Sequence, residues 1–275
     1  MDSVRLYKND FPNYHILFSH FFLFTMKTNT RTLALLLALE AILVTAPFFI
    51  LQSVFEFPDI LRQTADYALK LFVQHESVIV PTYYVFLLSA LTAIPLSIAL
   101  VRFFSSNNAA SKGNFALLSL GTATAVFQAI GFSRWVFTVP MIAHAYFAPN
   151  ITESSKQALA LMYDTLNRYL GMTVGEHLGF LSMGAWTIVL AWQFGKAGVV
   201  SERVSRILVW MGYATGVLTV LSAGEHFGGG SAPFFAVLNI IANTVWIFWL
   251  IALAVIIIRQ PEVSPNMSRT ALRSA

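Results

Sequence analysis

Apolar residues gather in six long segments that are separated by short polar stretches. The segments cover residues 32–55, 78–101, 115–137, 169–194, 205–223 and 233–258. Each has about the 20 residues that an α-helix needs to cross the hydrocarbon core of a bilayer. Residues 33–39 and 251–258 are apolar on every side, whereas a membrane barrel strand alternates apolar and polar positions. The pattern therefore predicts an all-α fold, a polytopic transmembrane bundle of six helical spans.

Two of the connecting segments are themselves amphipathic. In residues 57–75, apolar side chains recur at helical spacing, namely Ile60, Leu61, Ala65, Ala68, Leu69 and Phe72. In residues 138–168, Asn150 and Glu153 have the spacing of a helix cap, and a second stripe follows, made of Leu159, Met162, Leu166 and Tyr169. We expect an amphipathic helix in each of these outer loops, the first lying on the membrane interface.

Lysine and arginine are distributed unevenly between alternate loops. Twelve lie on one side of the predicted bundle: Arg5, Lys8, Lys27, Arg31, Arg102, Lys112, Lys196, Arg203, Arg206, Arg259, Arg269 and Arg273. Four lie on the other side: Arg62, Lys70, Lys156 and Arg168. Because cytoplasmic loops carry the excess of cationic residues, both termini are predicted to be cytoplasmic.

Three regions follow from this pattern. Residues 1–31 form an N-terminal cytoplasmic segment, 32–258 the six-helix transmembrane domain, and 259–275 a polar C-terminal tail. Residues 15–24 are apolar but too short to span, and Met26 with a polar run follows at once. We expect Met26 to be the true initiator methionine, so that residues 1–25 are not part of the native protein. The alternative is that these residues form an interfacial N-terminal segment.

Composition excludes a soluble domain and several kinds of site. Apolar residues make up 57% of the chain and charged residues 11%, against about 45–50% and about 25% in soluble domains. Mean hydropathy is +0.67, and the net charge of +4 is explained by loop topology rather than by nucleic-acid binding. With no cysteine, disulfides, iron–sulfur clusters and covalently attached haem are excluded.

One pentapeptide occurs twice, as Gly-Glu-His-Leu-Gly at Gly175 in the fourth span and as Gly-Glu-His-Phe-Gly at Gly224 at the end of the fifth. The fourth span runs inward and the fifth outward, so both copies are expected at the same outer depth. Ionisable residues in a bilayer are costly unless they are paired or hydrated. The pairs Glu176–His177 and Glu225–His226 are therefore candidate ligand- or ion-binding residues.

Two interpretations of these pairs stay open. His177 and His226 could ligate a divalent metal or haem b, although neighbouring helical residues point about 100° apart, which weakens the signal. Alternatively, the glycines at four-residue spacing, such as Gly171, Gly175 and Gly179, pack helices closely and the Glu–His pairs are structural. The two histidines could meet only if the glycines of the fourth span packed against helices other than the fifth.

Two further charged residues fall within the spans. Arg134 ends the third span at the outer depth, where it could clamp Glu176, Glu225 or an acidic ligand, or could anchor the helix beside Trp135. Glu40 lies alone in the first span, nearer the cytoplasmic side. It could be a proton-relay or substrate carboxylate, or a protonated helix contact.

Several stretches resemble a known bacterial membrane-protein family. These are residues 57–62 after the first span, Arg134-Trp135 with Pro140 after the third, and residues 169–179. Over roughly residues 30–258 they resemble the family known as domain of unknown function 4386. The resemblance implies a multi-pass protein of the bacterial inner membrane, with no established activity to carry over.

Three functions are compatible with these observations. The first is handling of a small ligand or ion, without enzymatic chemistry, through an outward-facing cluster whose members are Arg134, Glu176, His177, Glu225 and His226, with Glu40 as a second polar station. The second is a membrane redox or metal protein that uses His177 and His226. The third is a helical scaffold. The sequence contains no recognisable catalytic motif, and no cofactor is predicted. The expected partners are the lipid bilayer and an unknown small ligand. A second copy of the chain is a further expected partner, because glycine-lined helices can pack between chains as well as within one.

Overall fold

The computed structural model describes residues 29–106, 112–198, 201–227 and 232–260, and its regular elements in these ranges are all helical. The N-terminal segment 1–25, the start at Met26 and most of the polar tail, 261–275, lie outside the described residues. Six helices are long and apolar enough to cross a membrane: Thr30–Phe55, Ala65–Ser105, Gly113–Tyr146, Glu153–Ala197, Glu202–Phe227 and Ala232–Ile258. The predicted all-helical, six-span architecture is confirmed.

Eight α-helices and three shorter helical segments make up the described part of the chain. The α-helices are α1 (Thr30–Phe55), α2 (Ala65–Ser106), α3 (Lys112–Phe137), α4 (Val139–Tyr146), α5 (Glu153–Leu166), α6 (Gly179–Ala197), α7 (Glu202–Ser222) and α8 (Ala232–Ile258). A 3₁₀ turn, Asp59–Arg62, precedes α2, a π-helical segment, Asn167–Leu178, joins α5 to α6, and a second 3₁₀ turn, Ala223–Phe227, ends the fifth span. The ends near residues 56–64 and 138–166 are called the outer side.

The first predicted amphipathic segment is helical but lies against protein. The chain turns through the Asp59–Arg62 segment and enters α2 at Ala65, and this helix continues into the second span across a non-helical residue, His75. All six apolar residues predicted for the stripe are at most 5% exposed. The stripe therefore covers the outer core of the bundle instead of resting on lipid, because that core offers enough apolar surface to bury it.

The second amphipathic segment forms α4 and α5, and its details differ from the prediction. The cap of α5 is Thr152, whose hydroxyl accepts from Ser155 N–H at 3.2 Å, whereas Asn150 adopts a left-handed backbone conformation before it. The buried face is also rotated. Tyr163 is 1% exposed, while Met162 and Tyr169 of the predicted stripe are exposed.

The apolar interior is divided into two clusters along the bundle. The inner apolar cluster packs the halves of α1, α2, α6 and α8 that lie away from the outer side, around residues such as Leu37 and Trp249. The outer apolar cluster packs the outer halves of α1 and α2 with the end of α3 and with α4, around Trp135, whose ring stacks on Tyr83 at 5.1 Å between centroids. Between the clusters lie polar side chains at middle depth: Glu40, Ser89, Thr92, Thr124, Gln128 and Ser182.

Candidate functional site

An arginine from the first outer turn joins the two repeated pentapeptides. The guanidinium of Arg62 donates to Glu176 Oε2 at 3.0 Å and forms an ion pair with Glu225 Oε1. The Glu225 side chain is 8% exposed and the Glu176 side chain 17%, while the Arg62 side chain is 30% exposed. One cation thus bridges two carboxylates from the fourth and fifth spans, and it is the most exposed member of the three.

The glycines of the fourth span explain how the two pentapeptides meet. Gly175 packs against Gly131 of α3 so closely that a Cβ on Gly175 would lie 2.8 Å from Gly131 Cα. Gly171 faces Arg134, and Gly179 faces Gln128, both also on α3. The glycine stripe therefore packs against the third span. The opposite side of the helix, which carries Glu176 and His177, faces the fifth span.

The fourth span departs from α-helical geometry at this point. Residues Asn167–Leu178 form a π-helical segment, in which Gly179 N–H donates to Val174 O and the Thr173 hydroxyl donates to Arg168 O, five residues back. A helix with i→i+5 bonds turns less per residue than an α-helix, so Glu176 and His177 point closer together than the α-helical spacing predicts. Such segments are rare, and they occur frequently at functional sites.

The two histidines lie close together with different hydrogen bonding. Their ring centroids are 6.1 Å apart. His177 Nδ1 donates to Ala223 O at 3.0 Å, because a backbone carbonyl can only accept. His226 Nε2 lies 3.4 Å from Glu176 Oε2, its side chain is 6% exposed, and neither of its ring nitrogens makes an aligned hydrogen bond. His226 is thus a buried imidazole beside a carboxylate with its hydrogen-bonding capacity unused.

Arg134 lies beneath this group and contacts neither glutamate directly. Its side chain is buried, and it donates to Gly131 O and, at 3.1 Å, to Asn167 Oδ1. The Asn167 amide in turn donates to Leu61 O at 2.8 Å. Arg134 therefore supports the backbone of the turn that carries Arg62, instead of forming the carboxylate clamp considered from the sequence. Its Nε remains without a partner.

The electrostatics of Arg62 follow from its two neighbours. Burial alone would lower the pKa of Arg62, but the carboxylates of Glu176 and Glu225 outweigh that effect and raise it above its ordinary value. Arg62 is therefore a permanent cation. One guanidinium faces two carboxyl groups, so it can compensate the charge of only one of them.

Glu40 belongs to a separate place in the fold. It is 5% exposed, lies in the middle of α1 and is hydrogen-bonded to the Thr92 hydroxyl of α2. A groove of about 800 Å³, lined by Arg203, Arg206 and Trp210 among others, lies near the start of α7. It contains none of the predicted site residues.

Within the part of the chain that the structure describes, no group of three or more His, Asp and Glu side chains comes together in a way that could hold a metal ion. The position between the carboxylates of Glu176 and Glu225, where a divalent ion would bind, is taken by the guanidinium of Arg62. Metal or haem ligation by His177 and His226 stays one of the alternatives that the sequence leaves open.

Two residues of the site, Arg62 and Asn167, are not predicted as site residues by the sequence pattern. Arg62 belongs to the cations of the outer loops, and Asn167 belongs to no motif. Arg62 closes the stretch 57–62 that supports the family resemblance, and it is one of only four cations on the predicted outer side. Because Glu176 and Glu225 are expected at the same depth, the need of these carboxylates for a cation was the signal that could have identified Arg62. Nothing in the sequence marks Asn167, whose role depends on how three elements pack.

One family model matches most of the chain. The family model described as "Domain of unknown function (DUF4386)" matches residues 32–254, which covers all but the ends of the six-span region. No curated protein and no solved structure matches the chain. The chain belongs to the DUF4386 family.

Proposed function

We propose that this DUF4386 family member handles a small ligand or ion from the outer side of the membrane, at a cluster made of Arg62, Glu176, His177, Glu225 and His226. These five residues are called the outer cluster below. Arg134 supports the cluster through Asn167 and does not bind the ligand itself. The lipid bilayer surrounds the bundle, because its six long helices are apolar enough to cross a membrane.

The observation that carries this proposal is the unused hydrogen-bonding capacity of His226. A buried polar group that lacks a partner costs about 1–3 kcal/mol. Both nitrogens of this nearly inaccessible imidazole lack one, although Glu176 Oε2 is 3.4 Å away. A scaffold residue would be selected to satisfy its hydrogen bonds, whereas a binding residue keeps them for a ligand.

Charge indicates which ligands suit the outer cluster. Two carboxylates share one guanidinium, so an occupant that adds one positive charge neutralises the group. A proton or a small ammonium ion would do so. The partly exposed Arg62 gives access from the outer side, because moving its flexible side chain uncovers both carboxylates.

Thermal unfolding of the detergent-purified protein tests this proposal, with intrinsic tryptophan fluorescence as the readout. The probes are ammonium, methylammonium and tetramethylammonium chloride, compared with sodium chloride of equal ionic strength, and sodium acetate as the anionic probe. We expect a saturable rise in Tm with at least one cationic probe. At a concentration of 100 Kd the stabilisation is about 2.7 kcal/mol.

Matched variants locate the response. Glu176→Gln and Glu225→Gln should lose the probe-dependent rise, because each removes one carboxylate of the outer cluster. Glu76→Gln is the control, since Glu76 is an outer carboxylate that pairs with His144 away from the cluster. The proposal is wrong if no probe stabilises the wild type beyond sodium chloride, or if all three variants respond as the wild type does. A stability loss in Glu176→Gln without any probe response would support the scaffold function instead.

A further inference from the structure

Glu40 is a carboxyl group in the middle of a membrane span without a cation beside it. The helices that pack mainly on α1 are α2 and α8, and α8 contains no titratable residue. The nearest titratable residues along α1 and α2 are Arg31, Tyr84 and Arg102, which lie about 12–15 Å along the helix axes from Glu40 or Thr92. An ionised carboxylate here would have no compensating charge.

The Thr92 hydroxyl of α2 is the polar partner of the Glu40 carboxyl. It has one hydrogen and two close oxygen neighbours, Ser89 O at 2.6 Å and Glu40 Oε2. An ionised Glu40 would have to compete with Ser89 O for that single hydrogen. A protonated Glu40 brings a second hydrogen, so the carboxyl can donate to Thr92 Oγ1 while the hydroxyl donates to Ser89 O. The surroundings therefore favour the neutral carboxyl.

We infer that Glu40 is a proton-binding site in the membrane interior, which holds its proton while α1 and α2 are packed together and loses it when that contact opens. Glu40 lies apart from the outer cluster, at the contact between α1 and α2. The ligand of the site is a proton, and the neutral carboxyl is also a modification site for hydrophobic carbodiimides.

Prolines near the pair allow the contact to open. Pro47 lies seven residues after Glu40 on α1, and Pro95 lies three residues after Thr92 on α2. Each proline removes a backbone donor and disturbs the preceding turn, so both helices can bend close to the Glu40–Thr92 contact. Ionisation would place a charge at this contact, which favours separation of the helices and entry of water.

Carbodiimide labelling tests the inference on the full-length protein in vesicles of zwitterionic lipid. Dicyclohexylcarbodiimide takes the carboxyl proton on one nitrogen, and the carboxylate oxygen then bonds to the central carbon, so the adduct forms without a leaving group. We expect peptide mapping by mass spectrometry to find the adduct on Glu40 and not on Glu202, a highly exposed glutamate paired with Arg206. Labelling should fall about tenfold per pH unit above the titration midpoint.

Infrared spectroscopy tests the protonation state of Glu40 independently of the labelling. Infrared spectra of the wild type should contain a carbonyl band of a protonated carboxylic acid that shifts in deuterium oxide and is absent in Glu40→Gln. Glutamine mimics the neutral acid, because its amide can donate to Thr92 Oγ1, and Glu202→Gln is the matched control. Absence of the adduct from Glu40 at every pH, or a Glu40→Gln difference spectrum that lacks only a carboxylate band, would overturn the inference. If Glu40→Gln fails to fold, the mapping on the wild type decides.

Discussion

At the scale of single residues, the outer cluster depends on an arginine that the chain supplies from a turn. Arg62 ends the 3₁₀ turn Asp59–Arg62, and the bond from Asn167 to Leu61 O fixes the backbone next to it. The guanidinium can reach two carboxylates at once because it presents several donors in a fixed plane. A lysine offers a single point charge and no planar fork, so it would not replace this geometry.

Replacement of Arg62 by glutamine should destabilise the protein by about 1–2 kcal/mol, because Glu176 and Glu225 are left facing each other without a cation, partly shielded by solvent. Chemical unfolding in detergent measures this loss. Arg168→Gln, a change at an exposed arginine on the same side, should have little effect. Adding Glu225→Gln to the Arg62 variant should restore part of the stability, since it removes the repulsion; a double variant that is less stable than Arg62→Gln would contradict the ion-pair explanation.

At the scale of elements, the third and fourth spans meet through backbone. Gly131 and Gly175 bring α3 and the π-helical segment together with no side chain between them. This contact turns Glu176 and His177 away from α3 and towards the fifth span. The glycine pair therefore determines on which side the polar residues appear, although it contacts none of them.

Gly175→Ala should lower the free energy of unfolding by about 1–3 kcal/mol, because the new Cβ would lie 2.8 Å from Gly131 Cα and backbone cannot move aside easily. Gly179→Ala is the matched change on the same stripe. Its Cβ would meet the flexible Gln128 side chain at 3.1 Å, and its effect should be smaller. Unfolding curves of the two variants compare them directly, and equal stability of both would show that the close backbone contact does not matter.

The sequence predicted where the helices lie better than it predicted which side of each helix is buried. Hydrophobic length located all six spans, because crossing a bilayer imposes a long apolar run on every helix. The repeat located Glu176, His177, Glu225 and His226, and the structure brings these four together. The sequence did not indicate the π-helical segment, the rotation of the stripe that buries Tyr163, or the role of Asn167. These depend on tertiary contacts, which a single sequence does not encode as a local pattern.

At the scale of the whole molecule, the uneven distribution of cationic residues predicts the orientation of the bundle, which labelling can test. The chain has no cysteine, so single cysteines can be introduced without prior substitutions. Ser154→Cys should react with a membrane-impermeant maleimide in intact cells, and Ser201→Cys only after permeabilisation, because residues near Arg203 and Arg206 are predicted to be cytoplasmic. The opposite pattern would reverse the assignment of the outer side.

The interior of the bundle is divided into two apolar clusters, and each of them fills one half of the path across the membrane. Val44 packs against both clusters, and otherwise the clusters have separate members, with polar side chains between them. Because the outer apolar cluster has its own members, a movement of its helices would leave the contacts of Leu37, Trp249 and their neighbours in place. In such a movement the inner apolar cluster would be the part of the bundle that still closes the path across the membrane.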